Sequence, residues 1–304
     1  MSKEAQEIFE KTCLQKGCLA GEVAVITGST SNVGLGYAEA IAWAGGNVVI
    51  VGRNETKGQA IAAELCEEYG PDAAIFVKTD VSEAADIAAL KEAAIAKYGK
   101  VDILINNAMN LGLNGPILGS KIEDMDMAYR LSTRAVMLCA NAFVPDMVAR
   151  GHGFVTFSST QFHFMPPMIG GSIYCSSKAG ATAAMMSLAN EVKGTGVYVN
   201  CICPAGVGQI NPDSVDGSND DYINSLAMPG FEKLIPKEAA GAAMVYAILN
   251  AEKMHGTGTL ISDALVAMDY PFPKPETVVK MEKQYLDGFA LTMVLCAMGH
   301  GYDA

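Results

Sequence analysis

Apolar runs that resemble strands alternate with alanine-rich helical segments along most of the chain. An apolar run with helices before and after it is typical of a parallel strand buried on both faces. Such alternation predicts a sheet covered by helices on both sides. We therefore expect an α/β fold in which one domain is built on a doubly wound parallel sheet. About seven strands are predicted, at Glu22–Thr27, Asn47–Val51, Ala73–Val77, Val101–Ile105, Phe154–Phe157, Val197–Cys201 and Thr259–Ser262.

The segments between the strands have the composition and apolar spacing of helices. The predicted helices are 4–17, 37–43, 55–69, 83–98, 121–149, the segment around Tyr174, and 237–250. We expect residues 1–19 to form an N-terminal helical extension, 20–270 the main domain and 271–304 a C-terminal extension. Within the domain, 208–236 lacks a strong period and is either a lid or a surface excursion.

Composition and charge narrow the class of protein. Of the 304 residues, 50% are hydrophobic and 18% are charged, which provides a large core and argues against disorder. The net charge of −12 repels phosphate backbones and anionic lipid surfaces. We therefore expect neither a nucleic acid nor a membrane as partner.

The eight cysteines lie mostly in apolar runs and form no CxxC pair. With no histidine cluster beside them, they predict reduced, buried thiols and no metal site. Residues 1–22 mix charges with apolar residues, unlike a signal peptide, and the apolar run Phe289–Met298 is too short to span a bilayer. We expect a cytoplasmic protein.

A glycine-rich turn follows the first predicted strand and precedes a helix, over Gly28–Gly36. Glycine allows the backbone to approach a pyrophosphate closely, and the free N–H groups at a helix start attract its negative charge. The strand, turn and helix together predict a phosphate-binding site.

Tyr174 and Lys178 are four residues apart, which places a phenol and an ammonium on one helical face. A nearby ammonium favours the phenolate and lowers the pKa of the tyrosine, which suits proton exchange with an alcohol or a carbonyl. On many helices the same spacing is only a solvated ring and a solvated charge. The catalytic interpretation depends on the other motifs of the chain.

Five motifs occur in the order found in one family: the Thr27-Gly28 turn, Asp80-Val81, Asn106-Asn107-Ala108, Ser158-Ser159 before Tyr174-x-x-x-Lys178, and Cys203-Pro204-Ala205-Gly206-Val207. From about residue 20 to 270 the chain resembles a short-chain dehydrogenase/reductase. The resemblance implies a Rossmann fold, a nicotinamide cofactor and hydride transfer, with Tyr174 as proton donor or acceptor. It also implies that Ser159 bonds the substrate oxygen and that Lys178 holds the nicotinamide ribose.

The same resemblance implies the positions that bind the cofactor. They are Gly28, Ser31, Asn32, Val33, Arg53, Asp80, Val81, Asn107, Ala108, Tyr174, Lys178, Pro204 and Val207.

The glycine turn departs from the family pattern. Without a gap, Asn32 stands where the middle glycine is expected, and asparagine is the next best residue at positive φ. Alternatively, a two-residue insertion would use Gly34 and Gly36 and move the helix start towards Tyr37.

Three further departures fall near the expected substrate site. Ser132 occupies the place of the asparagine that serves a proton relay in the family, and a serine offers fewer donors and a shorter reach. Met109 brings a bulky side chain close to the cofactor or substrate. Ser159 precedes Tyr174 by fifteen residues, two more than expected, and the loop between them is rich in Phe and Met. We interpret His163 in this loop as an ordinary loop or pocket histidine.

The end of the second strand bears on the choice of cofactor. NAD-specific sites place a carboxylate there, whereas this strand ends in Gly52-Arg53. Arg53 can offer a charged fork to a 2′-phosphate, and Lys57 can support it; the alternative is a solvated surface arginine. We expect NADP(H) to be preferred over NAD(H).

Together these features predict an NADP-dependent oxidoreductase that interconverts a secondary alcohol and a ketone on a small to medium, largely apolar substrate. The alternatives are an epimerase or lyase on the same fold and a non-catalytic NADP-sensing protein. By resemblance we expect a homo-oligomer, a tetramer or a dimer, with the apolar tail near a subunit interface.

Overall fold

A computed structural model describes residues 8–110, 113, 115–160, 171–204, 207 and 235–269. Its sheet has seven parallel strands in the order β3-β2-β1-β4-β5-β6-β7, which confirms the predicted α/β fold. The strands are β1 Val23–Thr27, β2 Asn47–Gly52, β3 Ala74–Lys78, β4 Ile103–Asn106, β5 Gly153–Ser158, β6 Val197–Cys203 and β7 Gly258–Leu260.

Helices cover both faces of the sheet. They are α1 Asn32–Trp43, α2 Glu55–Tyr69, α3 Ala84–Tyr98, α4 Ile122–Tyr129, α5 Ala135–Arg150, α6 Ser172–Glu191, α7 Lys237–Leu249 and α8 Ile261–Ala267. The largest core cluster contains side chains of α1, α2, α7 and α8, and the second contains side chains of α3, α5 and α6. Burial on both faces explains why β1, β4 and β5 are buried along their whole length.

Alternate residues of each strand point to opposite faces of the sheet and so to different helices. In β1, Ala24 and Ile26 join the α1 cluster, whereas Val23 and Val25 join the α5 cluster. Both faces of this strand are therefore apolar.

Helices α1 and α7 approach until their backbones touch. A Cβ atom at Gly36 would lie 2.0 Å from the carbonyl oxygen of Lys237, and one at Gly241 would lie 2.3 Å from that of Gly36. Beside this contact the Lys237 ammonium bonds the Glu39 carboxylate. Burial raises the pKa of Glu39, and the charge of Lys237 opposes that rise. The ion pair thus fixes the start of α7 on α1.

The predicted helix over 121–149 is interrupted, and the predicted strand Thr259–Ser262 is too long. A π-helical turn, Arg130–Arg134, separates α4 from α5. The last strand ends at Leu260, and the helix that follows it was missed. From Ile261 the apolar residues recur at helical spacing and are buried in the core, so the helix replaces the strand.

The N-terminal helix predicted over 4–17 ends early in the described part of the chain. Residues 8–10 are helical, and turns and bends follow. Phe9 is nevertheless buried, with its ring stacked on Trp43 at a centroid distance of 4.7 Å. The segment is thus attached to the end of α1. None of the helices described here is both long and apolar enough to cross a membrane.

Carboxylates near the amino ends of β1 and β4 form an ion-pair network. The buried Asp102 bonds the Lys100 ammonium at 2.7 Å and the Arg150 guanidinium at 3.3 Å. Glu22 and His152 lie beside it, 3.0 Å apart. Glu22, Asp102 and His152 form the one group in the described residues that has the composition and spacing of a metal site. Since two cations already balance Asp102, we interpret the group as structural.

Cys139 predicts a specific pH dependence of stability. Burial in α5 raises the pKa of its thiol from 9.0 to about 12. The stabilisation is complete below pH 9 and is lost as the pH rises towards 12, because the unfolded chain releases the proton first. Between pH 8 and pH 10 this thiol should account for a loss of roughly 1 kcal/mol in the free energy of unfolding.

Urea unfolding of the wild type and Cys139→Ala at both pH values measures this loss. The variant should lose less stability between them than the wild type. Cys13→Ala removes an exposed thiol and should leave the pH dependence unchanged. Equal pH dependence in Cys139→Ala and the wild type would contradict the assignment.

Candidate active site

The carboxyl ends of β1 and β4 form the centre of the site. The strand order reverses between them, since the chain continues from β1 to β2 on one side and later to β4 on the other. In doubly wound sheets a crevice opens at such a point. All predicted site residues in turns and loops follow the carboxyl ends of strands, so the fold brings them to one edge.

Thr27 and Asn107 join the two strand ends. The Thr27 hydroxyl oxygen accepts hydrogen bonds from the backbone N–H of Asn107 at 2.8 Å and of Ala108 at 3.0 Å. The Asn107 side-chain amide donates to the carbonyls of Thr27 and Gly28, at 3.2 and 3.3 Å. These bonds hold the glycine turn against the loop after β4.

The turn itself has no insertion. Gly28 has φ +66°, and a Cβ there would lie 2.8 Å from the Ala108 Cα. Asn32 has φ +45° and is the first residue of α1, with Ser31 before it in an extended conformation. The interpretation without a gap is therefore the correct one. Val33 and Gly34 lie within the helix, and a Cβ at Gly34 would meet the Gly28 carbonyl at 2.4 Å.

This turn fits a dinucleotide phosphate. Among the described residues, no side chain caps the start of α1, so the first N–H groups of the helix are available to an anion. Ser29 joins the turn to the ends of β1 and β2, because its hydroxyl donates to the Ile26 carbonyl at 2.7 Å and accepts from the Val51 N–H at 2.9 Å. The end of β2 is thus attached to the turn.

The end of β2 is crowded by Thr30. A Cβ at Gly52 would lie 2.8 Å from the Thr30 Cγ2 atom and 3.1 Å from its hydroxyl oxygen. Arg53, the next residue, is exposed. An acidic side chain at Gly52 would therefore displace Thr30, whereas Arg53 is open to a ligand.

Asp80 and Val81 follow β3. Burial raises the pKa of Asp80, but hydrogen bonds from Ser82 and the charges of Arg53 and Arg130 together lower it by more. The pKa therefore lies below its ordinary value, and the carboxylate is favoured. One Asp80 oxygen accepts from the Ser82 N–H at 2.9 Å. Val81 is buried, and Ala108 packs against its cluster.

Lys178 lies in α6 at the carboxyl end of β5. Its side chain is 3% exposed, and its ammonium donates to the Ser158 carbonyl at 2.5 Å. The same nitrogen lies 4.5 Å from the Phe157 ring centroid and 5.8 Å from that of Tyr174. Burial lowers the pKa of Lys178 to about 8. The charged form still predominates at neutral pH, one helical turn from the half-buried Tyr174.

Ser159 follows β5 and contacts α6 at a residue that sequence reasoning missed. Its hydroxyl oxygen is 2.6 Å from that of Thr182, and its N–H donates to the Ile202 carbonyl at 2.7 Å. The signal that could have found Thr182 is its spacing of four residues from Lys178.

Ser132 lies in the π-helical turn and faces α6. Its hydroxyl donates to the Ser177 carbonyl at 3.2 Å, and the Thr133 hydroxyl donates to the same oxygen at 2.8 Å. Gly180 makes room for this contact, since a Cβ there would lie 2.7 Å from the Thr133 hydroxyl oxygen. Ser132 therefore contacts α6 one residue before Lys178.

The remaining predicted residues surround this centre. Pro204 directly follows β6, and Val207 forms a parallel bridge with Ile235 just before α7. Met109 is half-buried after β4. His163, most of the segment 208–236 and the whole tail after Asp269 lie outside the described residues.

Comparison with known proteins agrees with this geometry. Residues 22–215 match the family model described as short chain dehydrogenase. D-threitol dehydrogenase of Mycolicibacterium smegmatis is 29% identical over 244 residues, covering 80% of this chain and 92% of the relative. Sorbitol dehydrogenase of Cereibacter sphaeroides is 30% identical over 259 residues, covering 83% and 96%. The structure of L-sorbose reductase from Gluconobacter frateurii, complexed with NADPH and L-sorbose, has a TM-score of 0.72 at 26% identity, covering 81% of this chain and 97% of that one.

Asn32 gives a test of the turn. Its φ of +45° favours glycine or asparagine, so Asn32→Ala should destabilise the protein by about 1 kcal/mol, whereas Asn32→Gly should be nearly neutral. Ser31→Ala is the matched control for stability, because Ser31 is extended and its side chain makes no capping bond in the described structure. Urea unfolding measures all three variants. Equal losses for the Ala and Gly variants at Asn32 would show that φ is not the constraint.

Proposed function

Because the chain belongs to the short-chain dehydrogenase/reductase family, which acts on CH–OH and C=O groups with a nicotinamide cofactor, we propose that it is an NADP-dependent oxidoreductase interconverting a secondary alcohol and a ketone. The observation that carries this proposal is the buried ammonium of Lys178 at the end of β5, one turn from Tyr174. A buried cation is costly unless it has partners, which the Ser158 carbonyl and the Phe157 ring provide here. The ammonium is held beside a phenol, which can exchange a proton with an alcohol.

Tyr174 moves the proton in this mechanism. In ketone reduction its hydroxyl gives a proton to the substrate oxygen, and in alcohol oxidation its phenolate takes the proton back. The Lys178 ammonium favours the phenolate because opposite charges attract strongly where water is excluded. Ser159 donates a hydrogen bond to the substrate oxygen as negative charge develops there. Ser132 remains a candidate for the proton relay, through its contact with the residue before Lys178.

The cofactor would be held by the glycine turn and by the residues after β2, β3, β4 and β6. When bound, it supplies or accepts the hydride. The turn residues Gly28, Ser31, Asn32 and Val33 offer close backbone approach and free N–H groups, and Lys178 offers its ammonium to the nicotinamide ribose. The remaining contacts are proposed for Asp80, Val81, Asn107, Ala108, Pro204 and Val207.

The end of β2 supports a preference for NADP(H). Thr30 fills the space that a carboxylate at Gly52 would need, so the group that repels a 2′-phosphate is missing. Arg53 is exposed next to it and can pair with the phosphate through two N–H groups. The L-sorbose reductase that this chain resembles was solved with NADPH.

The substrate class we propose is a small to medium, largely apolar alcohol or ketone. The compounds in the names of the relatives, D-threitol, sorbitol and L-sorbose, also contain a secondary alcohol or a ketone, but they carry many hydroxyl groups. A panel of D-threitol, sorbitol, L-sorbose, cyclohexanone and 2-octanone therefore separates the two polarities, by absorbance of the reduced cofactor. Turnover of none of them with either cofactor would refute the proposed function on these classes.

We also propose a cytoplasmic homo-oligomer, a tetramer or a dimer. Ile117, Leu118 and Ile122 support it, because these residues are 67%, 88% and 71% exposed on one stretch that ends at the first residue of α4. Apolar side chains so exposed favour burial against another subunit. Light scattering gives the mass in solution.

Tyr174→Phe tests the proton transfer. The change removes only the hydroxyl, so turnover should fall by at least about a hundredfold while the dissociation constant of the reduced cofactor stays within about twofold. Turnover is measured with the best compound of the panel by absorbance of the reduced cofactor. The dissociation constant of the reduced cofactor is measured by fluorescence titration. Tyr129→Phe, at an exposed tyrosine of α4, is the control and should behave as wild type. Unchanged turnover in Tyr174→Phe would remove this residue from the mechanism.

Arg53→Ala tests the cofactor preference. Loss of a charge-assisted hydrogen bond should weaken NADPH by about 1.5–3 kcal/mol and leave NADH almost unchanged. Fluorescence titration with each cofactor measures the difference, and Lys193→Ala, at an exposed lysine beyond the end of α6, controls for net charge. Equal losses for the two cofactors, or tighter binding of NADH by the wild type, would mean that Arg53 does not read the phosphate.

A further inference from the structure

Thr182 extends the face of α6 that carries Tyr174 and Lys178. The three residues are spaced by four, so their side chains point in nearly the same direction along the helix. Thr182 is 8% exposed and lies where α6 meets the carboxyl ends of β5 and β6. The proposed function uses the first two residues and leaves the third without a role.

The hydroxyl of Thr182 makes two contacts with oxygen atoms. It donates to the Lys178 carbonyl at 2.9 Å, the usual bond of a helical threonine to the preceding turn. It also lies 2.6 Å from the Ser159 hydroxyl oxygen. A hydroxyl has one proton to donate. When Thr182 gives its proton to the Lys178 carbonyl, Ser159 is the donor in the bond between the two side chains, and when Thr182 gives its proton to Ser159 the direction is reversed.

Two thiols of β6 enclose this pair. The Ser159 hydroxyl lies beside Cys203 and the Thr182 hydroxyl beside Cys201, and burial raises the pKa of both thiols, that of Cys203 to about 12. Both are protonated at neutral pH, so neither can accept the serine proton as an anion. Ser159 is only 2% exposed, and the hydroxyl oxygen of Thr182 is a stronger acceptor than the neutral sulfur of Cys203.

We propose that Thr182 is a positioning residue that sets the orientation of the Ser159 hydroxyl; the inference rests on the function proposed for Ser159. While Ser159 donates to Thr182, its proton points away from the substrate. When the substrate oxygen of a ketone or of a deprotonating alcohol needs a donor, Thr182 turns its proton from the Lys178 carbonyl to Ser159, and Ser159 donates to that oxygen. The pair therefore turns the serine proton towards the substrate by rotation of two hydroxyls, and no bond between heavy atoms changes.

The test compares Thr182→Val, which has nearly the same shape without the hydroxyl, with Thr182→Ser, which keeps the hydroxyl. For the fastest compound of the panel, Thr182→Val should lower kcat/KM about five- to tenfold, the effect of one hydrogen bond. Thr182→Ser should stay within about twofold of the wild type. The dissociation constant of the reduced cofactor should not change in either. Ser176→Ala is the control, since that exposed hydroxyl donates to the Ile173 carbonyl at 3.0 Å in the same helix.

Ser159→Ala separates this inference from the proposed function. If Thr182 acts through Ser159, adding Thr182→Val to Ser159→Ala should cause no further loss, because coupled residues are not additive. Wild-type activity in Ser159→Ala would overturn the role of the serine itself. A loss in Ser159→Ala together with full activity in Thr182→Val, or equal losses in the Val and Ser variants, would overturn the role of Thr182 alone. Should Thr182→Val not fold, Thr182→Ala replaces it under the same criteria.

Discussion

The hydroxyl of Thr27 is the contact on which the cofactor half of the site depends. At the point where the strand order reverses, β1 and β4 end side by side and their last backbone groups pass beyond the sheet. Unpaired buried backbone groups are costly, so they need other partners. The Thr27 oxygen accepts two N–H groups from the loop after β4, and the Asn107 amide returns two bonds to β1 and its turn. The turn can therefore approach a phosphate without losing its own hydrogen bonds.

The catalytic half depends on a buried cation. An isolated ammonium in a protein interior would lose its proton, or the side chain would move out to the solvent. Lys178 retains both because the Ser158 carbonyl and the Phe157 ring stand in for water, although burial still lowers its pKa to about 8. The Ser132 and Thr133 hydroxyls also bond the Ser177 carbonyl and so hold the same turn of α6. The position of the charge is thus set by β5 and by the π-helical turn together.

The sequence predicts the features that depend on local pattern. The strands are apolar on both faces, so their number and order along the chain could be predicted, and asparagine tolerates positive φ, which favoured the turn without a gap. The π-helical turn depends on packing between distant elements. The start of α8 at Ile261 has a local signal in its apolar spacing, but a run this short after a strand does not separate a strand from a helix. Thr182 shows the same limit, because its spacing on α6 is visible but its contact with Ser159 joins residues 23 apart in the chain.

Two adjacent serines at the end of β5 link the layers of the molecule. The register with β6 runs from Gly153 opposite Val197 to Ser158 opposite Ile202. Successive residues of a strand point to opposite faces, so Ser158 turns its hydroxyl towards Tyr37 of α1, where it opposes the rise that burial causes in the tyrosine pKa. Ser159 then points to α6, and the Ser158 carbonyl between them takes the Lys178 ammonium. A shift of one residue in β5 would exchange the two faces, so Ser159 would turn away from Thr182 and the apolar side chains of the strand would face the wrong helices. The catalytic geometry is therefore as strongly specified as the hydrophobic core that sets the register.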